Sequence, residues 1–172
     1  MNGFLLIIPF LLIRFGILSI LDKEALKRAA LFAPVIGSER VAYWFYQISN
    51  ILIFVYICTL KITAASHKLA SGIVIYGIGL FLCFWSVLNF ARPTENGINL
   101  KGLYRVSRNP MYVSYFVYFL GCVFLTQSKV LFVIVLVFQI SAHWIILSEE
   151  RWCIQKFGKE YLDYMDKVRR YV

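Results

Sequence analysis

A short polar segment, residues 102–112 with the sequence GLYRVSRNPMY, lies between two long apolar segments and carries side chains suited to chemistry. Pro110 lacks a backbone N–H and fits the first turn of a helix, and Asn109 before it is a favoured N-cap residue. A helix is therefore predicted to begin at about Pro110. Its free N–H groups and positive dipole end, with Arg105 and Arg108 just outside, predict a site for an anionic or carboxylate-bearing ligand.

The second polar pair is Glu149-Glu150, which follows the last long apolar segment of the chain. These are the only acids at the mouth of an apolar segment on the side where the arginine-rich segment is expected. They could bind the cationic group of a ligand. Alternatively, they pair with Arg105, Arg108 or Arg151 as ordinary interfacial charges, and the residues alone leave both possibilities open.

Membrane helices must position both segments, because 60% of the 172 residues are hydrophobic, 17% are aromatic and the mean hydropathy is +0.72. Several apolar segments are too long for the core of a soluble protein. We predict a single all-α integral membrane domain over residues 1–172, with five transmembrane helices and an amphipathic C-terminal cytoplasmic helix. The predicted spans, each about long enough to cross roughly 30 Å of hydrocarbon, are 3–20, 41–60, 71–90, 111–126 and 130–147.

The distribution of Lys and Arg predicts the orientation of these spans. With the N-terminus outside, the cytoplasmic segments hold 14 of the 18 basic residues, and Lys61, Lys68 and Lys129 lie outside. The positive-inside rule therefore places the loop after Phe90 and the C-terminal tail on the same, cytoplasmic face. The formal charge of +9 then reflects topology and contact with anionic headgroups rather than nucleic-acid binding.

Two cytoplasmic segments are predicted to be amphipathic helices. Residues 21–40 alternate charged residues with Ala and Leu, which is typical of an interfacial helix. In the tail, apolar residues recur at helical spacing from Ile154 to Val168, and Gly158 is predicted to break this helix. The four cysteines show no C-x-x-C spacing and no partnered His, so we expect buried thiols and no metal.

Other polar residues within the spans are assigned mainly to structure. We expect 3–20 to be a retained helix rather than a signal peptide, because it lacks a basic n-region and contains Arg14, which must pair, snorkel or line a cavity. Gln139 and His143 are expected to form interhelical hydrogen bonds. The Gly77-x-Gly79 motif is expected to serve close helix packing.

The C-terminal half carries two patterns in a fixed order. They are Gly102-x-Tyr104-x-x-x-Arg108-Asn109-Pro110-x-Tyr112 and, after a span with Gly121 and another span, Glu149-Glu150 with Phe157-Gly158-x-Glu160-Tyr161-x-x-Tyr164-x-x-x-Val168. Together they resemble the isoprenylcysteine carboxyl methyltransferase family, to which the phospholipid N-methyltransferases are related. The match covers roughly the last eighty residues, and the combination is more specific than either half.

This resemblance implies an integral-membrane methyltransferase that binds S-adenosylmethionine, releases S-adenosylhomocysteine and acts on a lipidic or lipidated substrate. It implies a cofactor site from about 92–112 and 145–168. The cofactor-binding residues it implies are Gly97, Ile98, Asn99, Tyr104, Asn109, Pro110, Met111, Tyr112, Glu149 and Glu150.

The remaining predicted site residues divide into two groups. Glu149 and Arg108 are predicted to be catalytic, and Glu149 to take the ammonium or face the sulfonium of the cofactor. Trp85, Asn89 and Arg92, at the cytoplasmic end of the third span, are predicted to bind substrate as part of the cavity wall. The alternative for Trp85 is that it faces lipid. We expect membrane lipids as partners, and neither nucleic acid nor a protein partner is indicated.

The acceptor stays open because the chain departs from the family at two positions. Asn109 stands where the family commonly has His, which removes a titratable side chain. Ile145 stands where the eukaryotic prenylcysteine enzymes have an Arg for the substrate carboxylate. A phospholipid amine, or another lipid-borne amine, thiol or acid, therefore competes with a prenylcysteine carboxylate, and O-, N- or S-methylation is not decided.

Two further alternatives come from other classes of protein. The membrane sterol reductases, which use NADPH, have a similar Arg-x-Pro-x-Tyr turn and a Tyr-rich C-terminal helix. A non-enzymatic lipid-binding or scaffold protein would also have the predicted architecture.

Overall fold

The computed structural model describes residues 2–21, 23–30, 32–63, 69–95 and 97–172. Their regular structure is helical, apart from one isolated β-bridge between Asn2 and Lys61. The helices are α1 (Phe4–Leu21), α2 (Lys23–Ala30), α3 (Glu39–Thr59), α4 (Leu69–Phe90), α5 (Pro110–Thr126), α6 (Lys129–Phe157) and α7 (Lys159–Lys167), with a 3-10 turn at Gly102–Arg105.

A helix occurs at each of the five predicted spans, which confirms the all-helical fold. Four of them, α1, α3, α4 and α6, are long and apolar enough to cross a membrane. The helix α5 is a shorter apolar helix of 17 residues, so the count of five spans stays a prediction. Lys68, one of the basic residues predicted to lie outside, falls outside the described residues.

The helices α4 and α5 form a tightly packed antiparallel pair. A side chain at Gly79 would overlap the backbone of Tyr118, and one at Gly121 would overlap the backbone of Tyr76. These two glycines therefore allow the helix axes to approach closely, as predicted for Gly79. Gly77 faces open space instead.

The helices α3 and α6 form the second antiparallel pair. At one end Arg151 pairs with Glu39 at 2.7 Å, and further along Tyr46 stacks on Phe138 with ring centroids 5.0 Å apart. At the other end the hydroxyl of Ser128, the residue before α6, lies 3.5 Å from the Tyr56 hydroxyl. This register places the start of α3 beside the C-terminal part of α6.

The helix α1 joins the two pairs through an aromatic core. Phe10 stacks on Tyr118 with centroids 4.5 Å apart, and it also contacts Phe54 and Phe119. The hydroxyl of Tyr118 is satisfied in this core because it donates to the Leu6 carbonyl at 2.9 Å.

The outward faces of the bundle are apolar. Large side chains such as Phe45, Ile48, Val133 and Ile140 are exposed. Such faces are suited to contact with lipid, as expected for membrane-spanning helices.

The polar segment and the C-terminal tail lie at the same end of the bundle, and the α1 N-terminus lies at the other. Gly3 N–H donates to Leu60 O at 2.8 Å, and Thr63 N–H donates to Leu125 O at 2.9 Å, so these four residues mark the far end. Lys61 and Lys129, predicted to lie outside, are therefore remote from the polar segment.

The helix α6 is longer than the predicted span 130–147. It has 29 residues and continues without interruption to Phe157, so the first part of the predicted tail helix is the end of this span. The predicted break at Gly158 is confirmed: its φ of +58° lies in the left-handed region, which favours glycine and ends the helix. The following helix α7 packs Tyr161 and Tyr164 against Ile98.

The connection 21–40 is helical only in part. The helix α2 covers Lys23–Ala30, whereas residues 32–36 have no regular structure before α3 begins. A helix is therefore present in the first half of this segment, and its interfacial position stays a prediction.

Candidate active site

The helix α5 begins at Pro110, as the sequence predicts, but Asn109 does not cap it with its side chain. The first intrahelical bond joins Val113 N–H to Asn109 O at 3.3 Å. Because the first amides of a helix lack intrahelical acceptors, those of Met111 and Tyr112 are available to a ligand. The Asn109 side chain instead donates to Arg170 O at 3.2 Å and to Glu150 at 3.4 Å.

Glu150 is the centre of a buried ion-pair network. Arg108 Nε donates to one carboxylate oxygen at 3.0 Å, and Arg170 donates to the other through Nε and Nη2 at 3.0 and 2.9 Å. Arg108 Nη1 also donates to the carbonyls of Met165 and Val168 at 3.0 and 2.8 Å. Glu150 therefore pairs with two arginines, as expected if the acidic pair forms ordinary ion pairs. Arg108 was among the predicted partners, whereas Arg170 was not.

The chain after α7 crosses the polar segment as an extended strap, residues 168–171. Arg108 N–H donates to Arg169 O at 2.9 Å, and the Ser107 hydroxyl donates to Arg170 O at 3.3 Å. The Tyr171 hydroxyl lies 2.6 Å from Nδ1 of His143. The strap thus joins the polar segment to α6, and His143 bonds to the strap rather than to another helix.

Glu149 has different surroundings from Glu150. Its carboxylate accepts a hydrogen bond from the Tyr112 hydroxyl at 2.8 Å. Among the described residues, no Lys, Arg or His forms an ion pair with it. Arg14 attracts this carboxylate through space but does not pair with it. A carboxylate without an ion-pair partner at this depth is suited to a cationic ligand group.

Both polar segments open into one cavity of about 460 Å³. This volume lies in the range of about 300–1,000 Å³ that small-molecule sites usually occupy. The predicted site residues that line it are Gly97, Ile98, Asn99, Tyr104, Arg108, Asn109, Met111, Tyr112, Glu149 and Glu150.

Aromatic side chains form a second wall of the cavity. Tyr164 donates its hydroxyl to Tyr104 O at 2.6 Å, which fixes the 3-10 turn against α7. Burial raises the pKa of Tyr104 well above its ordinary value. Tyr161 and Phe157 complete this wall.

Four predicted site residues do not line the cavity. Pro110 is buried at the start of α5. Trp85 is exposed on the outside of α4, and Arg92 is exposed just after the end of this helix. Asn89 has a structural contact, because its Oδ1 accepts a hydrogen bond from Leu103 N–H at 2.9 Å and holds the 3-10 turn. The structure therefore does not bring the three predicted substrate residues into the site.

The N-terminal half supplies lining residues that the sequence did not single out. They include Arg28 and Phe32 from the connection after α1, and Tyr46 from α3. Arg14, flagged in the sequence as an arginine within a span, also lines the cavity. No local motif marked Arg28, Phe32 or Tyr46, because their contribution to the cavity depends on how α1 and α3 pack against the C-terminal half.

The described residues contain no group of three or more His, Cys, Asp or Glu side chains arranged to hold a metal ion. Within the same residues, the four cysteines form no disulfide.

A model of the phospholipid methyltransferase family matches residues 67–160. The matched residues include α4, the polar segment, α5, α6 and the acidic pair. No curated protein and no solved structure matches the chain.

Proposed function

The chain belongs to the phospholipid methyltransferase family, and on this premise we propose that it is an S-adenosylmethionine-dependent methyltransferase whose acceptor is the amine of a membrane phospholipid. Its family and its apolar helices make it a multi-pass membrane protein. We further propose that the arginine-rich end of the bundle, with the cavity, faces the cytoplasm, because most Lys and Arg residues lie at that end.

The observation that carries the proposal is the shared cavity of the polar segment and Glu149. S-adenosylmethionine has a carboxylate, an ammonium, a sulfonium and an adenine. The cavity offers groups that match this set, namely the amides that begin α5, the unpaired carboxylate of Glu149 and the tyrosine wall around Tyr104. When bound, the cofactor supplies an electrophilic methyl group.

Amine methylation needs a deprotonated nucleophile that is aligned in a dry site. Glu149 is the candidate general base, because its carboxylate faces the cavity and can accept a proton from a lipid ammonium. Tyr112 orients this carboxylate through its hydrogen bond. Arg108 binds Glu150 through Nε and two tail carbonyls through Nη1, so we propose a positioning role for it.

Carboxyl methylation of an isoprenylcysteine is the second candidate, favoured by the sequence pattern of residues 102–168. A carboxylate needs no base, so this reaction would use Glu149 for cofactor binding alone. Ile145, buried in the core, supplies no cation one turn before Glu149. This position therefore favours the amine.

The test is a transfer assay with purified protein, methyl-labelled S-adenosylmethionine, and phosphatidylethanolamine or S-farnesylcysteine. We expect base-stable label in the phosphatidylethanolamine, whereas base-labile label in S-farnesylcysteine would support carboxyl methylation instead. The Glu149→Gln variant should lose at least about 100-fold in kcat/KM, in line with loss of a general base. The control is Asp163→Asn, which changes an exposed acid on α7. Absence of label in any lipid above the Glu149→Gln background would contradict the proposal.

A further inference from the structure

Arg14 is an arginine inside the apolar run of α1, and it lines the cavity. It lies in the π-helical segment Leu12–Ile17 of this helix. Such π turns are rare and occur frequently at functional sites. A guanidinium within a membrane-spanning helix is costly unless it is paired or serves a function.

The protein satisfies the Arg14 guanidinium only in part. Nη2 donates to Ala29 O at 3.0 Å, and the guanidinium carbon lies 5.8 Å from the ring centroid of Tyr115 and 5.9 Å from that of Phe15. Nη1 is buried and has no hydrogen-bond partner among the described residues. Within the same residues, no Asp or Glu forms an ion pair with it. Glu149, which lines the same cavity, attracts Arg14 through space without forming an ion pair with it. A positive charge without an ion-pair partner among the described residues and an unused donor therefore remain beside the cavity.

Three other cations line the cavity, and each has a different environment. Arg108 is engaged by a carboxylate and by main-chain carbonyls. Arg28 lies over the Phe90 ring at 5.7 Å, and Lys156 lies over the Trp152 ring at 4.6 Å. Of the four cations that line the cavity, Arg14 is therefore the one whose buried N–H lacks an acceptor among the described residues.

We propose that Arg14 binds the acidic group of the methyl acceptor and makes the site selective for lipids that carry a phosphate or carboxylate near the nucleophile. This inference rests on the proposed lipid methyltransferase function. A guanidinium binds such oxygens through a two-pronged, charge-assisted contact. The family match begins at residue 67, so this determinant lies outside the matched region.

The experiment measures lipid binding to the full-length protein in detergent by titration calorimetry. The first pair of probes is dihexanoyl phosphatidylethanolamine and its phosphate-free analogue, a dihexanoylglycerol aminoethyl ether. The second pair, S-farnesylcysteine and its methyl ester, tests recognition of a carboxylate. We expect wild-type protein to bind the acidic member of at least one pair at least about tenfold more tightly than the other member. This is the gain in affinity expected when a charged group accepts hydrogen bonds. The pair that shows the difference identifies phosphate or carboxylate as the source. Arg14→Gln should abolish the preference, whereas Arg40→Gln, which removes an exposed arginine at the start of α3, should retain it.

Equal binding of both members of each pair by wild-type protein would overturn the inference, and this comparison needs no variant to fold. Retention of the preference by Arg14→Gln would also overturn it. A parallel titration with S-adenosylhomocysteine separates the two proposals. If the acidic preference depends on Arg14 but S-adenosylhomocysteine does not bind, the methyltransferase proposal fails and the Arg14 site stands. If S-adenosylhomocysteine binds equally well to wild type and Arg14→Gln while no acidic preference exists, only the Arg14 inference fails.

Discussion

Two adjacent glutamates, about two turns before the end of α6, have different electrostatic surroundings. Successive helical residues point about 100° apart, so Glu149 and Glu150 contact different elements. Glu150 is neutralised by Arg108 and Arg170, whereas Glu149 accepts one hydrogen bond from Tyr112 and faces the cavity. We therefore assign Glu150 to the structure of the site and Glu149 to its chemistry.

The assignment of Glu150 predicts a loss of stability on Glu150→Gln. The change would leave two arginines without their counter-charge, and breaking such a buried pair typically costs about 3–5 kcal/mol. Thermal unfolding in detergent should show a clear drop in the midpoint. The control is Glu39→Gln, which breaks the more exposed pair with Arg151 and should lower the midpoint much less. Equal shifts for both variants would contradict the structural role of Glu150.

At the scale of elements, the strap 168–171 closes the site by joining the polar segment to α6. Its main-chain carbonyls accept bonds from the side chains of Ser107 and Asn109, and Arg170 pairs with Glu150. These contacts fix the residues just before the α5 N-terminus. The polar segment alone would lack these acceptors.

Deletion of residues 169–172 should therefore loosen the polar segment. We expect faster amide hydrogen exchange at residues 102–109 and at least about tenfold weaker binding of S-adenosylhomocysteine, because several bonds to the site are lost together. Deletion of Val172 alone is the control, because this residue is exposed and lies beyond the strap. Unchanged exchange and affinity after the longer deletion would show that the strap does not support the site.

The close packing of α4 against α5 positions the N-terminus of α5. Gly79→Leu should reduce the thermal stability and the yield of folded protein, because the new side chain would meet the backbone of Tyr118, which cannot move aside. The matched control is Gly77→Leu on the same helix, where the space is open and the higher helix propensity of Leu should be neutral or favourable. Similar losses for both variants would contradict the packing that the structure shows.

At the scale of the whole molecule, local patterns predicted the helices and the main site segments. Pro110 indicated the start of α5 and Gly158 the end of α6, because both residue types restrict the backbone directly. The predicted topology placed the polar segment and Glu149 on the same face of the membrane. Their meeting at one site was implied by the family resemblance.

Other features of the site depend on contacts between distant segments and could not be predicted. Tyr46 reaches the cavity because α3 packs against α6, and Arg170 reaches Glu150 because the chain reverses after α7. Trp85 was expected either in the cavity wall or facing lipid, because its depth does not determine which side of α4 it occupies; the structure exposes it on the outside. Asn109 was expected to cap α5, yet its side chain bonds to the strap, a contact between residues 61 positions apart that no local pattern predicts.

We propose above all that the cavity between the polar segment and α6 binds S-adenosylmethionine through Glu149. The most direct test of this claim is titration calorimetry of detergent-purified wild-type and Glu149→Gln protein with S-adenosylhomocysteine and, separately, with NADPH. We expect wild-type protein to bind S-adenosylhomocysteine but not NADPH, and Glu149→Gln to bind it at least about tenfold more weakly because a charge-assisted contact is lost. Binding of NADPH in preference would indicate a reductase. Binding of neither ligand, or equal affinity of both proteins for S-adenosylhomocysteine, would contradict the claim.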